Sequence, residues 1–208
     1  GITINRYCAS GLESIAMATA KIRTGMAECI IAGGTESMSL VPTAGWKTVP
    51  SFTIAETEPD YYLSMGLTAE AVAKEYNVSR ADQDAFALLS HQKALVAQQE
   101  NYFKPGILPI TVEEVYVNEK GKKATRSYVV DSDDGVRADT SVEALAKLKP
   151  AFAVDGTVTA GNSSQTSDGA AFALVMSERM VVELGLKPIG RLVNCASAGV
   201  HPRIMGIG

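Results

Sequence analysis

Two continuous apolar runs, each beside glycine, constrain the fold of this chain more than any other feature. One spans residues 29–32 and ends at Gly33, and the other spans residues 171–176. Apolar runs without polar alternation are typical of strands that are buried on both faces of a sheet. Small apolar residues with helical spacing, over residues 12–22, precede the first run. This order predicts an α/β layered fold.

The stretch between residues 41 and 156 differs in character from the rest of the chain. Residues 41–64 hold three prolines and the only tryptophan, which predicts an irregular excursion. The other predicted elements are helices over 68–76, 79–101, 141–148 and 178–184 and strands over 1–4, 107–117, 126–130 and 189–195. The sequence therefore predicts an α/β piece, a long mixed insertion and the start of a second α/β piece.

Composition excludes several classes of protein. The 208 residues are 46% hydrophobic and 20% charged, as in globular rather than disordered chains. A net charge of −4 argues against nucleic acid as the main partner, since phosphate binding requires a basic surface. No apolar run is long enough for a membrane span. Three scattered cysteines without a CxxC pair predict a reducing, cytoplasmic location and no structural metal site.

Cys8 is the first candidate for chemistry. It lies where an apolar segment turns into a helix, next to small residues at 9–11. A thiol at a helix N-terminus faces unpaired backbone N–H groups, which favour the reactive thiolate. The alternative from the residues alone is a small buried side chain, as many free cysteines are. Cys29 and Cys195 lie in apolar runs and are predicted to be structural.

The second candidate is the run of small and hydroxyl residues over 159–171. Such a run between two strands would let the backbone lie close to a ligand. The alternative is an ordinary turn that is held by Asn, Asp and Ser hydrogen bonds. By itself this run leaves the two interpretations open.

Taken together, these segments resemble the thiolase family, in the order in which that family has them. The motifs that carry the resemblance are NRYCASG at residues 5–11, AGGTESMS at 32–39 and GTVTAGNSSQTSDGAA at 156–171. The resemblance covers essentially all 208 residues. The QTSDG form of the last motif is most similar to the 3-ketoacyl-CoA thiolases of fatty-acid breakdown, which implies a place in β-oxidation and lipid metabolism.

The resemblance also implies the architecture. The family has a thiolase fold of repeated α/β/α/β/α layers, with an insertion in the N-terminal half that covers the coenzyme A site. Residues 1–40 would end the N-terminal half, 41–156 would be the inserted CoA-binding loop domain, and 157–208 would open the C-terminal half. The chain thus resembles an internal fragment of such a protein.

Roles for individual residues follow from their positions in the family's motifs. Cys8 matches the nucleophile that accepts the acyl group as a thioester. The residues that match CoA- and substrate-binding positions are Met65, Arg137, Leu148, Ala151, Phe152, Ser164 and Met205. Met65 and Ser164 would lie along the pantetheine arm, and Arg137 near the CoA nucleotide. Ser64 departs from the family's short-chain biosynthetic members, which have His there.

The implied activity is acyl transfer. The enzyme would cleave a 3-ketoacyl-CoA to acetyl-CoA and a shortened acyl-CoA, or run the reverse Claisen condensation, with ping-pong kinetics. CoA and acyl-CoA would be substrates, with no permanently bound cofactor, and the protein would form a homo-oligomer. The family's base histidine, in a Gly-His-Pro motif, and its second cysteine, in a Cys-x-Gly motif, have no match here. We therefore expect these 208 residues to be inactive alone.

Several alternatives stay open at this stage. One is an acetoacetyl-CoA-forming biosynthetic thiolase, and another is a non-catalytic CoA- or lipid-binding relative, which the presence of Cys8 disfavours. A ketoacyl synthase shares the fold, but its flanking sequence differs and it lacks the long insertion. A cysteine hydrolase would need a histidine partner for Cys8. Neither His91, on a helix of the insertion, nor His201, in a loop, is placed for that role.

Overall fold

The structure, a computed structural model, describes residues 1–42 and 45–208; Thr43 and Ala44, within the predicted excursion, lie outside the described residues. Its helices are α1 (Ser10–Arg23), α2 (Phe52–Thr57), α3 (Met65–Glu75), α4 (Arg80–Gln99), α5 (Val142–Ala146) and α6 (Glu178–Glu183). Its strands are β1 (Cys29–Glu36), β2 (Ile110–Val117), β3 (Lys123–Val130) and β4 (Gly169–Met176). Short 3₁₀ helices lie at Pro59–Tyr62, Lys104–Gly106 and Pro202–Ile207.

The chain divides into two compact units. Residues 1–57, 166–200 and 208 form the first unit, and residues 58–165 and 201–207 form the second. In the first unit, β1 and β4 pair antiparallel from Cys29 opposite Met176 to Glu36 opposite Gly169, and α1 packs on this sheet. The two apolar runs of the sequence are therefore neighbours in one sheet.

The expectation that these strands are buried on both faces is wrong for this structure. Ala32 is buried, whereas Ile31, Phe172 and Leu174 are 72%, 64% and 58% exposed. Side chains alternate between the two faces of a strand, and α1 contacts the sheet from one side. Among the described residues, nothing covers the face that carries Ile31 and Leu174.

The C-terminal end of α1 follows from its sequence. Gly25 has φ +73°, and its N–H donates to the Ile22 carbonyl at 3.1 Å, while the Met26 N–H donates to the Lys21 carbonyl at 2.9 Å. This is the glycine termination that the sequence predicts.

The strands predicted over 1–4 and 189–195 do not form. Within the described residues the two sheets are β1 with β4 and β2 with β3, so neither segment has a strand to pair with.

The second unit contains α3, α4, α5 and a β2–β3 hairpin. The Ser64 hydroxyl accepts the Leu67 N–H at 3.4 Å, so α3 begins earlier than the predicted residue 68. The predicted start of α4 is confirmed, because the Ser79 hydroxyl accepts the Asp82 N–H at 3.1 Å. The strands predicted over 107–117 and 126–130 also form, and they pair as a hairpin with Val117 opposite Lys123 at its turn.

The buried face of α4 differs from the prediction. The sequence places Phe86 and Leu89 on the inner side, but they are 75% and 46% exposed, and the buried residue is Asp84. The reason is that α4 packs on α5 through a polar network rather than through its largest apolar side chains. None of the helices over the described residues is both long enough and apolar enough to cross a membrane.

Candidate functional site

Cys8 lies in a tight turn immediately before α1. It is exposed and directly precedes Ala9, the N-cap residue of α1. Tyr7 has φ +47°, a left-handed conformation that is unfavourable for a residue with a side chain. Hydrogen bonds hold it there: the Tyr7 N–H donates to Asn5 Oδ1 at 2.8 Å, and the Ser10 hydroxyl donates to the Tyr7 carbonyl at 2.7 Å. A strained backbone conformation that the surrounding hydrogen bonds maintain is typical of functional sites.

Arg6, two residues before Cys8, has two side-chain partners. The Arg6 guanidinium forms an ion pair with Glu13 on the first turns of α1 and donates to the Ser197 hydroxyl at 2.6 Å. A cleft of about 560 Å³ runs along α1 past Arg6 to residues 192–197. The turn before α1 is thus anchored to a second segment of the same unit.

Three of the predicted CoA-binding residues meet at one cleft in the second unit. Met65, Phe152 and Ser164 line a space of about 460 Å³ beside α3. The Phe152 ring lies against Gly66, where a Cβ would come within 2.2 Å of its atoms. The Ser164 side chain is exposed, and its hydroxyl donates to the neighbouring Gln165 carbonyl at 3.2 Å. A serine in this place is accessible to a ligand in the cleft.

Leu148 and Ala151 are not among the residues that line that cleft, but each contacts a segment that leads to it. The Ala151 N–H donates to the Val158 carbonyl at 2.9 Å, which ties the segment after α5 to the segment that leads to Ser164. The Leu148 side chain lies against Gly161, where an added Cβ would come within 2.5 Å of it. Both residues therefore fix the backbone that carries the cleft wall.

Met205 and Arg137 occupy separate places in the second unit. Met205 lies in the Pro202–Ile207 3₁₀ helix, which packs on α3. Arg137 is exposed, its guanidinium donates to Asp139 at 3.2 Å, and its N–H donates to His91 Nδ1 at 3.2 Å. The hydrogen bond from Arg137 lowers the pKa of the Asp139 carboxyl below its ordinary value. Neither residue lines the cleft beside α3.

The two histidines make local contacts. His91 accepts the Arg137 N–H, and His201 Nδ1 accepts the Arg203 N–H at 3.3 Å, within its own turn. Across residues 1–42 and 45–208, no group of acidic, histidine or cysteine side chains is arranged to hold a metal ion.

Polar side chains that were not among the predicted site residues hold the cleft wall. Glu70 on α3 accepts the Thr157 and Val158 N–H groups at 2.9 and 2.8 Å. Buried Asp84 on α4 accepts from Asn162, which itself lines the cleft. The i,i+4 spacing of Arg80 and Asp84 is the one signal in the sequence that could have marked this network.

Comparison with known proteins shows which family this chain resembles. The model of the thiolase N-terminal domain matches residues 1–179. The chain is 52% identical over 207 residues to the 3-ketoacyl-CoA thiolase of Bacillus subtilis, covering 100% of this chain and 53% of that protein. It is 42% identical over 216 residues to the acetyl-CoA acetyltransferase of Shinella zoogloeoides, with 99% and 53% covered.

A solved structure gives the same result for the fold. The dimeric peroxisomal thiolase of Saccharomyces cerevisiae matches with a TM-score of 0.85 at 36% identity, over 100% of this chain and 51% of that one. The predicted α/β thiolase fold is therefore confirmed. The chain spans about half the length of these relatives. Because the family model matches most of its residues, the chain belongs to the thiolase family.

Proposed function

We propose that the protein is an acyltransferase that cleaves 3-ketoacyl-CoA by thiolysis, with Cys8 as the residue that takes up the acyl group. The observation that carries this proposal is the exposed Cys8, in a strained turn at the start of α1, in a chain 52% identical to a 3-ketoacyl-CoA thiolase. Beta-oxidation is the expected context.

The chemistry requires the properties that Cys8 offers. The thiolate attacks the keto carbon of the substrate, the bond between that carbon and the α-carbon breaks, and acetyl-CoA leaves as an enolate that a general acid protonates. A second CoA thiol then attacks the thioester on Cys8 and releases the shortened acyl-CoA. This sequence contains neither the Gly-His-Pro nor the Cys-x-Gly motif. In this proposal the oxyanion donors and the acid–base group therefore come from residues outside these 208.

The second unit supplies the proposed binding site for coenzyme A. In this proposal the pantetheine arm lies in the cleft formed by Met65, Phe152 and Ser164, and Leu148 and Ala151 keep its wall in place. The CoA phosphates would compete with Asp139 for the exposed Arg137. Met205 would contact the acyl chain. Residues 41–156 would then be the CoA-binding part, between the 1–40 and 157–208 parts of the thiolase halves.

Assembly and location are part of the same proposal. The relative from Saccharomyces cerevisiae is described as dimeric, which supports a homo-oligomer here. The three cysteines, none of which forms a disulfide in the structure, are compatible with the reducing conditions of the cytoplasm. A matched relative is peroxisomal, so localisation of the tagged protein by microscopy is the test.

The test is mass spectrometry of the longest chain that the gene encodes, after incubation with acetyl-CoA. We expect an acetyl adduct on Cys8 that free CoA removes, and no adduct in a Cys8→Ser variant. Cys195→Ser is the matched control, since Cys195 is also an exposed thiol of the first unit. A folded wild-type protein that acquires no adduct on Cys8 would overturn the proposal in favour of a non-catalytic CoA-binding relative.

A biosynthetic, acetoacetyl-CoA-forming enzyme is the second candidate, supported by the 42% identity to an acetyl-CoA acetyltransferase. Ser64 stands where the resemblance places His in such enzymes, and its hydroxyl caps α3. Thiolysis rates with 3-ketoacyl-CoA substrates of increasing length decide between the two. We expect a higher kcat/KM for medium-chain substrates than for acetoacetyl-CoA, and the reverse order would support the biosynthetic candidate.

A further inference from the structure

An ion pair in the second unit, between the partly exposed Arg80 and the buried Asp84, is connected to the wall of the cleft. Asp84 is 4% exposed and accepts from two donors: Arg80 Nε at 2.7 Å and Asn162 Nδ2 at 2.9 Å. A buried carboxylate is costly unless hydrogen bonds and a cation compensate for its lost hydration. The two compensating side chains, Arg80 and Asn162, also form hydrogen bonds to the backbone of other segments.

Asn162 uses its remaining hydrogen-bonding capacity to shape the turn that contains it. Its Oδ1 accepts the Thr159 N–H at 2.7 Å, and its Nδ2 also donates to the Thr157 carbonyl at 3.0 Å. Asn162 and the next two residues, Ser163 and Ser164, line the cleft. Asp84 is thus hydrogen-bonded directly to a residue of the cleft wall.

Arg80 connects the same carboxylate to a second segment. Its Nη2 donates to the Leu145 carbonyl at 2.6 Å and to the Leu148 carbonyl at 3.1 Å, at the end of α5. Leu145 and Leu148 in turn lie against Gly161, next to Asn162. One ion pair therefore aligns both segments that meet behind the cleft.

The chemistry of this position requires a carboxylate. Donors face Asp84 on both sides, and a carboxylate accepts from both. An asparagine would have to turn its NH₂ group toward either Arg80 or Asn162, which leaves one donor facing another donor. A buried unpaired donor is penalised in full, so the network would break at one of its two ends.

We propose that Asp84 is a positioning residue: through Asn162 it holds the wall formed by Asn162, Ser163 and Ser164 in the conformation that accepts the pantetheine arm. This inference rests on the proposed function, which places CoA in the same cleft. It assigns Asp84 no contact with substrate. Its loss should therefore weaken CoA binding without slowing the chemistry at Cys8.

The test compares four variants of the longest encoded chain by calorimetric titration with CoA and by steady-state thiolysis. We expect Asp84→Asn to raise the Kd and KM for CoA by about tenfold, because the wall would adopt the binding conformation only about a tenth of the time, with kcat within about twofold of wild type. Asn162→Asp, which sets two carboxylates against each other, should weaken binding similarly. Asp82→Asn, the same change at an exposed position of α4, should leave Kd unchanged.

The exchange variant Asp84→Asn/Asn162→Asp decides the matter. It restores a donor–acceptor pair with reversed polarity, so it should bind CoA several-fold more tightly than either single variant, although the bond to the Thr157 carbonyl is lost. Losses that merely add would overturn the inference, as would an unchanged Kd in Asp84→Asn. If Asp84→Asn does not fold, the exchange variant compared with Asn162→Asp gives the same decision. Wild-type protein that binds no CoA would overturn the proposed function as well.

Discussion

At the scale of single residues, a glycine decides the shape of the proposed CoA cleft. Gly66, the second residue of α3, is buried, and the Phe152 ring occupies the space where a Cβ would be. Gly11, the second residue of α1, has no atom within 4 Å of the same position. The sequence shows two glycines in equivalent helical places, and the structure distinguishes them by what lies beside them.

This contrast gives a first prediction. Gly66→Ala should lower the free energy of unfolding by about 1–3 kcal/mol, because Phe152 must move to admit the methyl group. Gly11→Ala should be neutral or slightly stabilising, since alanine favours helix and meets open space. Urea denaturation of both variants is the measurement. Equal effects in the two variants would show that Phe152 accommodates the methyl group without strain.

A second residue-scale prediction concerns pH. The Ser39 hydroxyl and N–H donate to the Asp168 carboxylate and hold its pKa below the ordinary value. A carboxyl whose pKa is lowered on folding stabilises the protein above its unfolded pKa of about 4, and this contribution is lost as the pH falls through the folded value. We therefore expect Asp168→Asn to have a lower Tm than wild type at pH 7, with the difference shrinking as the pH falls below about 4.

Ser39→Ala provides the control for that prediction, because it removes one of the donors but keeps the carboxylate. Its destabilisation should also shrink in acid, and the double variant should lose less than the sum of the two single losses, since both act on one contact. A Tm difference between wild type and Asp168→Asn that stays constant as the pH is lowered from 7 to about 2 would contradict this account.

At the scale of elements, helix boundaries were predictable where a cap residue stands in the sequence. Ser79 and Asp82 mark the start of α4, and the hydroxyl of Ser79 accepts the Asp82 N–H. The cap of α3 was missed because a glycine, Gly66, stands two residues after Ser64 and interrupts the apolar helical spacing. Capping depends on residues three or four positions apart, so the information for both caps is present in the sequence.

The cap of α4 gives the third prediction. Ser79→Ala should cost about 1 kcal/mol of stability, because one N–H at the start of the helix loses its acceptor. Ser90→Ala, in an exposed middle position of the same helix, should be neutral or slightly stabilising. Urea midpoints of the two variants test this. A loss in Ser90→Ala as large as that in Ser79→Ala would show that capping is not the cause.

At the scale of the whole molecule, the chain leaves much of its apolar surface open. The buried apolar residues among those described are mainly small: Ala18, Ala32, Ala71, Leu145 and Val158. The β1–β4 sheet has two strands and an open face with Ile31, Phe172 and Leu174. Sheets of two strands are marginally stable, and three or more strands or an added packing layer is the usual requirement.

The fourth prediction follows from this face. The 208 residues expressed alone should bind a hydrophobic dye and self-associate on size-exclusion chromatography, since large exposed apolar patches drive association. Ile31→Thr/Leu174→Thr should reduce both effects. Val182→Thr, at an exposed position of α6, is the control and should change neither. A monomeric chain that binds no dye would show that this face is not adhesive.

The sequence by itself determined whatever depends on near neighbours along the chain and on motif order. The α1 termination at Gly25, the β2–β3 hairpin, the cap of α4 and the membership of the chain in the thiolase family are of this kind. Only the tertiary structure decided which side chains are covered. Phe86 is exposed while Asp84 is buried, because the burial of a helix face depends on the partner that packs against it, and that partner is distant in sequence. The wall of the cleft is likewise fixed by Asp84 and Asn162, which lie far apart along the chain and meet only after folding.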